Sequence, residues 1–342
     1  MFEVYGGMSE RLPLSGVADH ARRVEALGYD GMNVPEAVHD GLLAAHAALD
    51  ATEHLKVATS VLVAFPRSPM ATAVAAWDLQ EASDGRFVLG LGPQVRGNIV
   101  KRYSTPWSAP APRMREYVNA LRAIFASWQD GAELDFQGEH YRFSRMQPFF
   151  NPGPLESGAP PVFLGAVGPN MVALVGEVAD GMVTHPTNGT PRYLREVIIP
   201  SLERGAKRIG RNVDQVQLMV SPPTATGPDA AAVAVERERQ REMLTFLFST
   251  PSYWQSLDLF GMHDKGEALH ALTREGRWQD MAGIIDDEML DTFVVSGSYD
   301  EIPDRLIEWY GGLVKSITFP VPTDARQDEA ARRAIRRLQG RD

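Results

Sequence analysis

Along this chain, short apolar runs alternate with segments whose apolar residues recur at helical spacing. Phe2 to Tyr5, Gly31 to Val34, Val57 to Val63 and Phe87 to Leu91 read as strands. They are apolar almost throughout, as strands buried on both faces need to be. Between the first two, Val17, Ala21, Val24 and Leu27 line one face of a helix that Gly28 stops. An alanine-rich helix begins near Leu42, and another carries Met70, Ala73, Val74 and Trp77. A long helix follows on Met114, Tyr117, Val118, Leu121, Phe125 and Trp128.

The rhythm then breaks. FQGEHYRF, residues 136 to 143, reads as a hairpin, and NPGPLESGAPP, residues 151 to 161, as a proline- and glycine-rich connector. It resumes with strands at Val162 to Leu164, Gly181 to Thr184 and Val216 to Val220, and a helix over roughly 191 to 209. Helical stretches near 229 to 249 and 265 to 290 fill a long insertion. An eighth strand, Ser316 to Phe319, and a last helix on Ala331, Ala334, Ile335 and Leu338 complete the pattern. About eight strand-helix units imply a parallel α/β sheet, because consecutive parallel strands need crossovers. Count and length fit a (β/α)8 TIM barrel in one domain, 1–342, with insertions at about 132–160 and 222–295. A doubly wound open sheet is the competing arrangement. In a barrel, chemistry sits where strands end and loops begin.

Composition narrows the function. The 342 residues are 44% hydrophobic, enough for a large core. A net charge of −10 opposes nucleic acid and anionic membranes as partners. There is no cysteine, so no disulfide, thiol nucleophile or thiolate metal site, and no metal is expected. MFEVYGG lacks the basic region and apolar run of a signal peptide, so a cytoplasmic protein is the expectation. GLGPQVRG has the wrong glycine spacing for a dinucleotide fingerprint.

One stretch asks for a chemical reason. In PVFLGAVGPNMVALVGEVADG, residues 161 to 181, a strand enters a helix through small residues, with Pro169 at the first helical position. Glycine lets backbone approach a ligand, and a helix start offers free N–H groups to an anion. The segment reads as a phosphate cradle, or as a plain tight turn.

GAVGPNMVALVGEVADG also resembles the fifth strand-helix unit of the luciferase-like monooxygenase superfamily. Residues 57 to 94 (VATSVLVAFPRSPMATAVAAWDLQEASDGRFVLGLGPQ), GYDGMNVPEAVHD and GSYDEIPDRLIEW (297 to 309) carry the same likeness. It spans nearly the whole chain and is similar, more narrowly, to the coenzyme F420-dependent oxidoreductases. The resemblance implies an eight-stranded barrel with a flavin or deazaflavin at its C-terminal mouth. Gly165, Ala166, Val167, Gly168 and Pro169 then correspond to the segment around the cofactor and its phosphate. In TSVL, residues 59 to 62, relatives often carry a bulge with a cis peptide backing the ring, which here is Ser60-Val61. Glu36 matches an acidic residue after the second strand. Ala37 replaces the histidine that usually follows, with His39 two positions on. Gly92-Pro93-Gln94-Val95 lacks the glutamate of relatives that oxidise sugar phosphates, while Asn98 matches their asparagine. His185 falls where relatives place substrate-pocket residues. Arg96 and Arg102 are candidates to face an anionic tail.

The resemblance implies an oxidoreductase moving hydride between coenzyme F420 and a small organic substrate, with His185 or His39 carrying the proton. FMN and monooxygenase chemistry form the alternative. A non-redox barrel enzyme on a phosphorylated substrate, or a binding protein without catalysis, are the others. STPSYWQSLDLFG, residues 249 to 261, reads as a lid over the pocket or as core or interface packing. A homodimer is expected from the resemblance.

Overall fold

In a computed structural model describing residues 1–281 and 283–341, eight parallel strands close into a ring. They are β1 (Glu3–Gly7), β2 (Gly31–Val34), β3 (Lys56–Thr59), β4 (Phe87–Gly92), β5 (Val162–Ala166), β6 (Gly181–Thr184), β7 (Gln217–Val220) and β8 (Ser316–Phe319). Each pairs with its neighbours in sequence. Glu3 to Gly6 on β1 pair with Ser316 to Phe319 on β8, which closes the barrel and rules out the open sheet. Around it lie α1 (Val17–Leu27), α2 (Gly41–Asp50), α3 (Pro69–Ala82), α4 (Pro110–Gln129), α5 (Pro169–Val178), α6 (Ile199–Arg208), α7 (Ile302–Tyr310) and α8 (Asp328–Gln339).

Local chemistry sets the helix ends. Gly28 closes α1 at φ 90°, a left-handed conformation that suits glycine. Asp40 caps α2 and Ser68 caps α3, each accepting first-turn N–H groups. The strands bury both faces. Tyr5, Ala58, Val88, Phe163, Val183 and Met219 fill the barrel, and a larger apolar shell lies between strands and helices. A third cluster, including Leu244, Phe248, Leu257, Leu269, Met289 and Phe293, belongs to the insertion after β7.

Several elements depart from the sequence reading. The run Val57 to Val63 is not one strand: β3 ends at Thr59, the Ser60-Val61 bond is cis, and Leu62–Val63 pair separately with β4. The Thr59 hydroxyl bridges the gap, donating to Gly90 O at 2.8 Å and accepting from Gly90 N at 2.9 Å. The helix over 191 to 209 is π-helical at Leu194–Ile198. Pro200 has no N–H for the Glu196 carbonyl, which disturbs the regular ladder. The stretch 265 to 290 splits into His263–Arg274 and Asp287–Phe293, with Gly276 at φ 73° between them. Two strands have no apolar signature, Thr224–Gly227 and Val295–Ser298, which pair with each other in parallel. Val74 is 46% exposed rather than packed. Phe136–Gln137 and Arg142–Phe143 form the anticipated hairpin. No helix among the described residues is long and apolar enough to cross a membrane.

Candidate active site at the barrel mouth

The C-terminal ends of β3, β4 and β5 meet at Val61. A Cβ added at Gly92 would stand 2.6 Å from Val61 Cγ2, and one at Gly165 would lie 3.2 and 3.3 Å from its two methyl groups. Real Cβ atoms do not approach that closely at Gly92, so glycine there lets Val61 lie across the strand ends. Val61, Gly92 and Gly165, far apart in sequence, form one low apolar floor, with Ser60 at its edge through the cis bond to Val61.

Beside the floor, Gly168 caps α5 with extended backbone (φ −81°, ψ 155°) and no side-chain hydrogen bond. Pro169 takes the first helical position, and a Cβ at Gly168 would meet nothing within 4 Å. The cap thus supplies no side-chain acceptor to the first turn of α5, and the space beside Gly168 is open, an arrangement that suits an anion. Packing fixes this helix. A Cβ at Gly205 would fall 1.7 Å from Ala173 O, and one at Gly176 2.2 Å from Leu202 O, so glycine lets α5 and α6 touch backbone to backbone.

His185 follows β6. Its ring stacks on Tyr253 with centroids 4.3 Å apart and planes 14° from parallel. Thr187 Oγ1 lies 2.8 Å from Nδ1, and the Thr187 N–H points at the same nitrogen at 3.4 Å. An amide N–H only donates, so Nδ1 is the acceptor and the ring hydrogen sits on Nε2. Burial pushes the imidazole down from 6.5 to about 4, so it is neutral at pH 7. Asn188 ties this unit to the cradle, accepting from His185 N at 2.8 Å and donating to Ala166 O at 3.0 Å.

The remaining candidates divide. Glu36 is engaged by the protein itself. Arg67 grips both its oxygens at 2.6 and 2.9 Å, and Val63 N donates to it at 2.6 Å. It clamps the loop after β2 to the loop after β3, and Arg67 also reaches Asp40 at 2.7 Å. His39 is half-buried in that same loop. Asn98 is half-buried on a short helix, Arg96–Lys101, and its carbonyl accepts from Arg102 N and Tyr103 N. Arg102 donates to Ala37 O at 2.5 Å, tying its short helix to the loop after β2. In STPSYWQSLDLFG, Tyr253 meets His185, whereas Trp254 and Leu257 pack in the insertion core. Sequence reasoning missed Arg67 and Asn188, whose partners Glu36 and Ala166 come from other loops, and Thr187, which meets the His185 ring only through the turn of their shared loop. Between α4 and the hairpin, Glu116, Glu139 and His140 bring one ligand atom each within 4.8 Å of one another, though Glu116 already accepts from His140 N at 2.8 Å.

A closed parallel barrel with an apolar floor and an uncapped helix start at its C-terminal face defines a ligand-binding barrel of the enzyme type. The chain belongs to the luciferase-like monooxygenase family, whose model matches residues 2–316. It is 42% identical over 330 residues to the uncharacterized protein Rv1360 of Mycobacterium tuberculosis, covering 94% of this chain and 96% of that one. It is 27% identical over 291 residues to a second protein of that organism, Rv3520c, provisionally named a coenzyme F420-dependent oxidoreductase, covering 75% and 76%. The solved coenzyme F420-dependent tetrahydromethanopterin reductase of Methanopyrus kandleri superposes with a TM-score of 0.78 at 18% identity, covering 99% of both chains. The family is named for its monooxygenases, and this chain is of the oxidoreductase class. Membership speaks against the non-redox reading. Floor and cradle together fit a flat ring carrying a phosphate.

Proposed function

We propose that this protein is a coenzyme F420-dependent oxidoreductase transferring hydride between the deazaflavin and a small organic substrate. The observation that carries the reading is the flat floor of Val61, Gly92 and Gly165 lying directly beside the open start of α5. Likeness to Rv3520c favours the deazaflavin over FMN. When bound, the cofactor supplies the hydride chemistry. The chain's residues do the rest. Gly165, Ala166, Val167 and Gly168 hold the phosphate through backbone N–H groups, Pro169 starts the helix that completes the cradle without needing a donor of its own, and Ser60 and Val61 back the ring. The insertion carries Tyr253 onto His185 and keeps water from that ring.

Near neutral pH, His185 is not the protonated acid that histidine's usual range suggests. It offers a neutral Nε2–H as hydrogen-bond donor to a substrate oxygen, and His39 remains the other candidate to move a proton. The family's own description, luciferase-like monooxygenase, keeps oxygenation as the second reading, with FMN as the cofactor it would need. We further read the chain as one barrel domain, acting in the cytoplasm as a homodimer. Exposed Leu43 on α2, Val74 on α3, and Val38 and Val100 in nearby segments support an association face.

Fluorescence titration of the purified protein with coenzyme F420 and with FMN tests this. Tight binding of F420 and weaker binding of FMN is expected. The opposite order favours the oxygenase reading, and binding of neither ends both.

A further inference from the structure

Asn33 is the one polar side chain that β2 (GMNV) sends into the barrel, and it belongs to neither the floor nor the cradle. Its inward direction is fixed by its partner: Nδ2 donates to Met219 Sδ on β7 at 3.5 Å, across the barrel interior. The neighbouring interior residues, Tyr5, Ala58, Val88, Phe163, Val183 and Met219, are overwhelmingly apolar. The residue is only 7% exposed, and its Oδ1 is buried with no hydrogen-bond partner among the described residues. A thioether is a weak acceptor. Both ends of this carboxamide are therefore poorly satisfied, and turning the amide over exchanges the ends without supplying a partner.

Native structures leave few buried polar groups in that state, because each costs stability. Asn33 is also placed to be reached. It is the last but one residue of β2, towards the mouth. Its register partner on β1 is Gly7, which is exposed, and a Cβ built there meets nothing within 4 Å. Open space at the mouth thus lies next to an unsatisfied amide.

We propose that Asn33 recognises the imide edge of the bound ring, an N–H flanked by carbonyls, through its side-by-side acceptor and donor. The inference rests on the flavin-type cofactor reading above. A carboxamide matches that edge in both senses: Oδ1 accepts from the ring N–H while Nδ2 donates to a ring carbonyl. Deazaflavin and flavin share the edge, so Asn33 recognises the ring class, while the cradle holds the phosphate. Asn33 is then a binding residue, kept at a cost to the free protein.

The test is a fluorescence titration of wild type and Asn33→Leu with coenzyme F420 and FMN, alongside thermal unfolding of the free proteins. Leucine keeps the shape and removes the polarity. The expected result is a higher unfolding temperature without ligand and a dissociation constant raised about tenfold for the coenzyme that wild type holds. The same coenzyme methylated at its imide nitrogen should bind wild type about tenfold more weakly, and the leucine variant without further loss. An unchanged dissociation constant in Asn33→Leu, or equal sensitivity of both proteins to methylation, overturns the proposal. If the leucine variant does not fold, Asn33→Ser, too short to pair with the ring, carries the same expected rise in dissociation constant and the same overturning result. Failure of wild type to bind either coenzyme is a different outcome, since it removes the cofactor reading itself.

Discussion

Acidification should destabilise this protein through His185, by an amount the structure sets. In the unfolded chain the imidazole binds a proton below 6.5, whereas in the fold burial delays this to about 4. Between those values the unfolded state holds a proton that the folded state refuses. The stability linked to His185 is therefore fully present above pH 6.5 and is lost as pH falls towards 4. The whole difference corresponds to about 3 kcal/mol, a ceiling because the residue keeps some exposure at the mouth. By about pH 5 roughly 2 kcal/mol should already be gone. Other groups titrate in the same range, so the quantity to measure is a difference. Urea unfolding of wild type and His185→Gln at about pH 7.5 and about pH 5 isolates it, with wild type losing about 2 kcal/mol more than the variant. Proton NMR of the ring gives an independent midpoint near 4. A midpoint near 6.5, or equal losses in both proteins, would refute the burial argument.

Other predictions test the remaining parts of the site. Gly168→Asp places a carboxylate at the open start of α5 and should abolish cofactor binding, by tenfold or more in a fluorescence titration, while leaving the unfolding temperature near wild type. Arg67→Met strands the buried Glu36 carboxylate and should cost about 3–5 kcal/mol in urea unfolding. Adding Glu36→Gln to that variant should recover most of the loss. Gly205→Ala would drive a methyl group into Ala173 O and should destabilise by about 2 kcal/mol or more, with α5 displaced and cofactor affinity lowered in parallel. Sedimentation of wild type should give a dimer, and Leu43→Glu with Val74→Glu should shift it to monomer if α2 and α3 form the interface.

Much of this architecture is written in local pattern. Apolar runs without alternation mark strands covered on both faces, and helical spacing with a closing glycine marks α1 without reference to any distant residue. The small residues before Pro169 likewise announce a helix start that can face an anion. These signals are legible because they depend on neighbours within a few positions. The paired strands Thr224–Gly227 and Val295–Ser298 were silent, because their small polar residues carry no period and only mutual pairing makes them strands. The same limit applies to the site. Glu36 has the composition of a ligand-binding acid, yet Arg67, 31 positions away, decides that it is a clamp. Histidine's usual range suggests a proton donor for His185, yet Tyr253 from the insertion and Thr187 enclose it and make it neutral. Nothing local distinguishes Asn33 from a solvated asparagine until barrel closure sets it against Met219. Sequence determines which segments coil or extend, since backbone sterics and periodicity act over one or two turns. Desolvation and partner choice act through space, and those were decided only when the barrel closed.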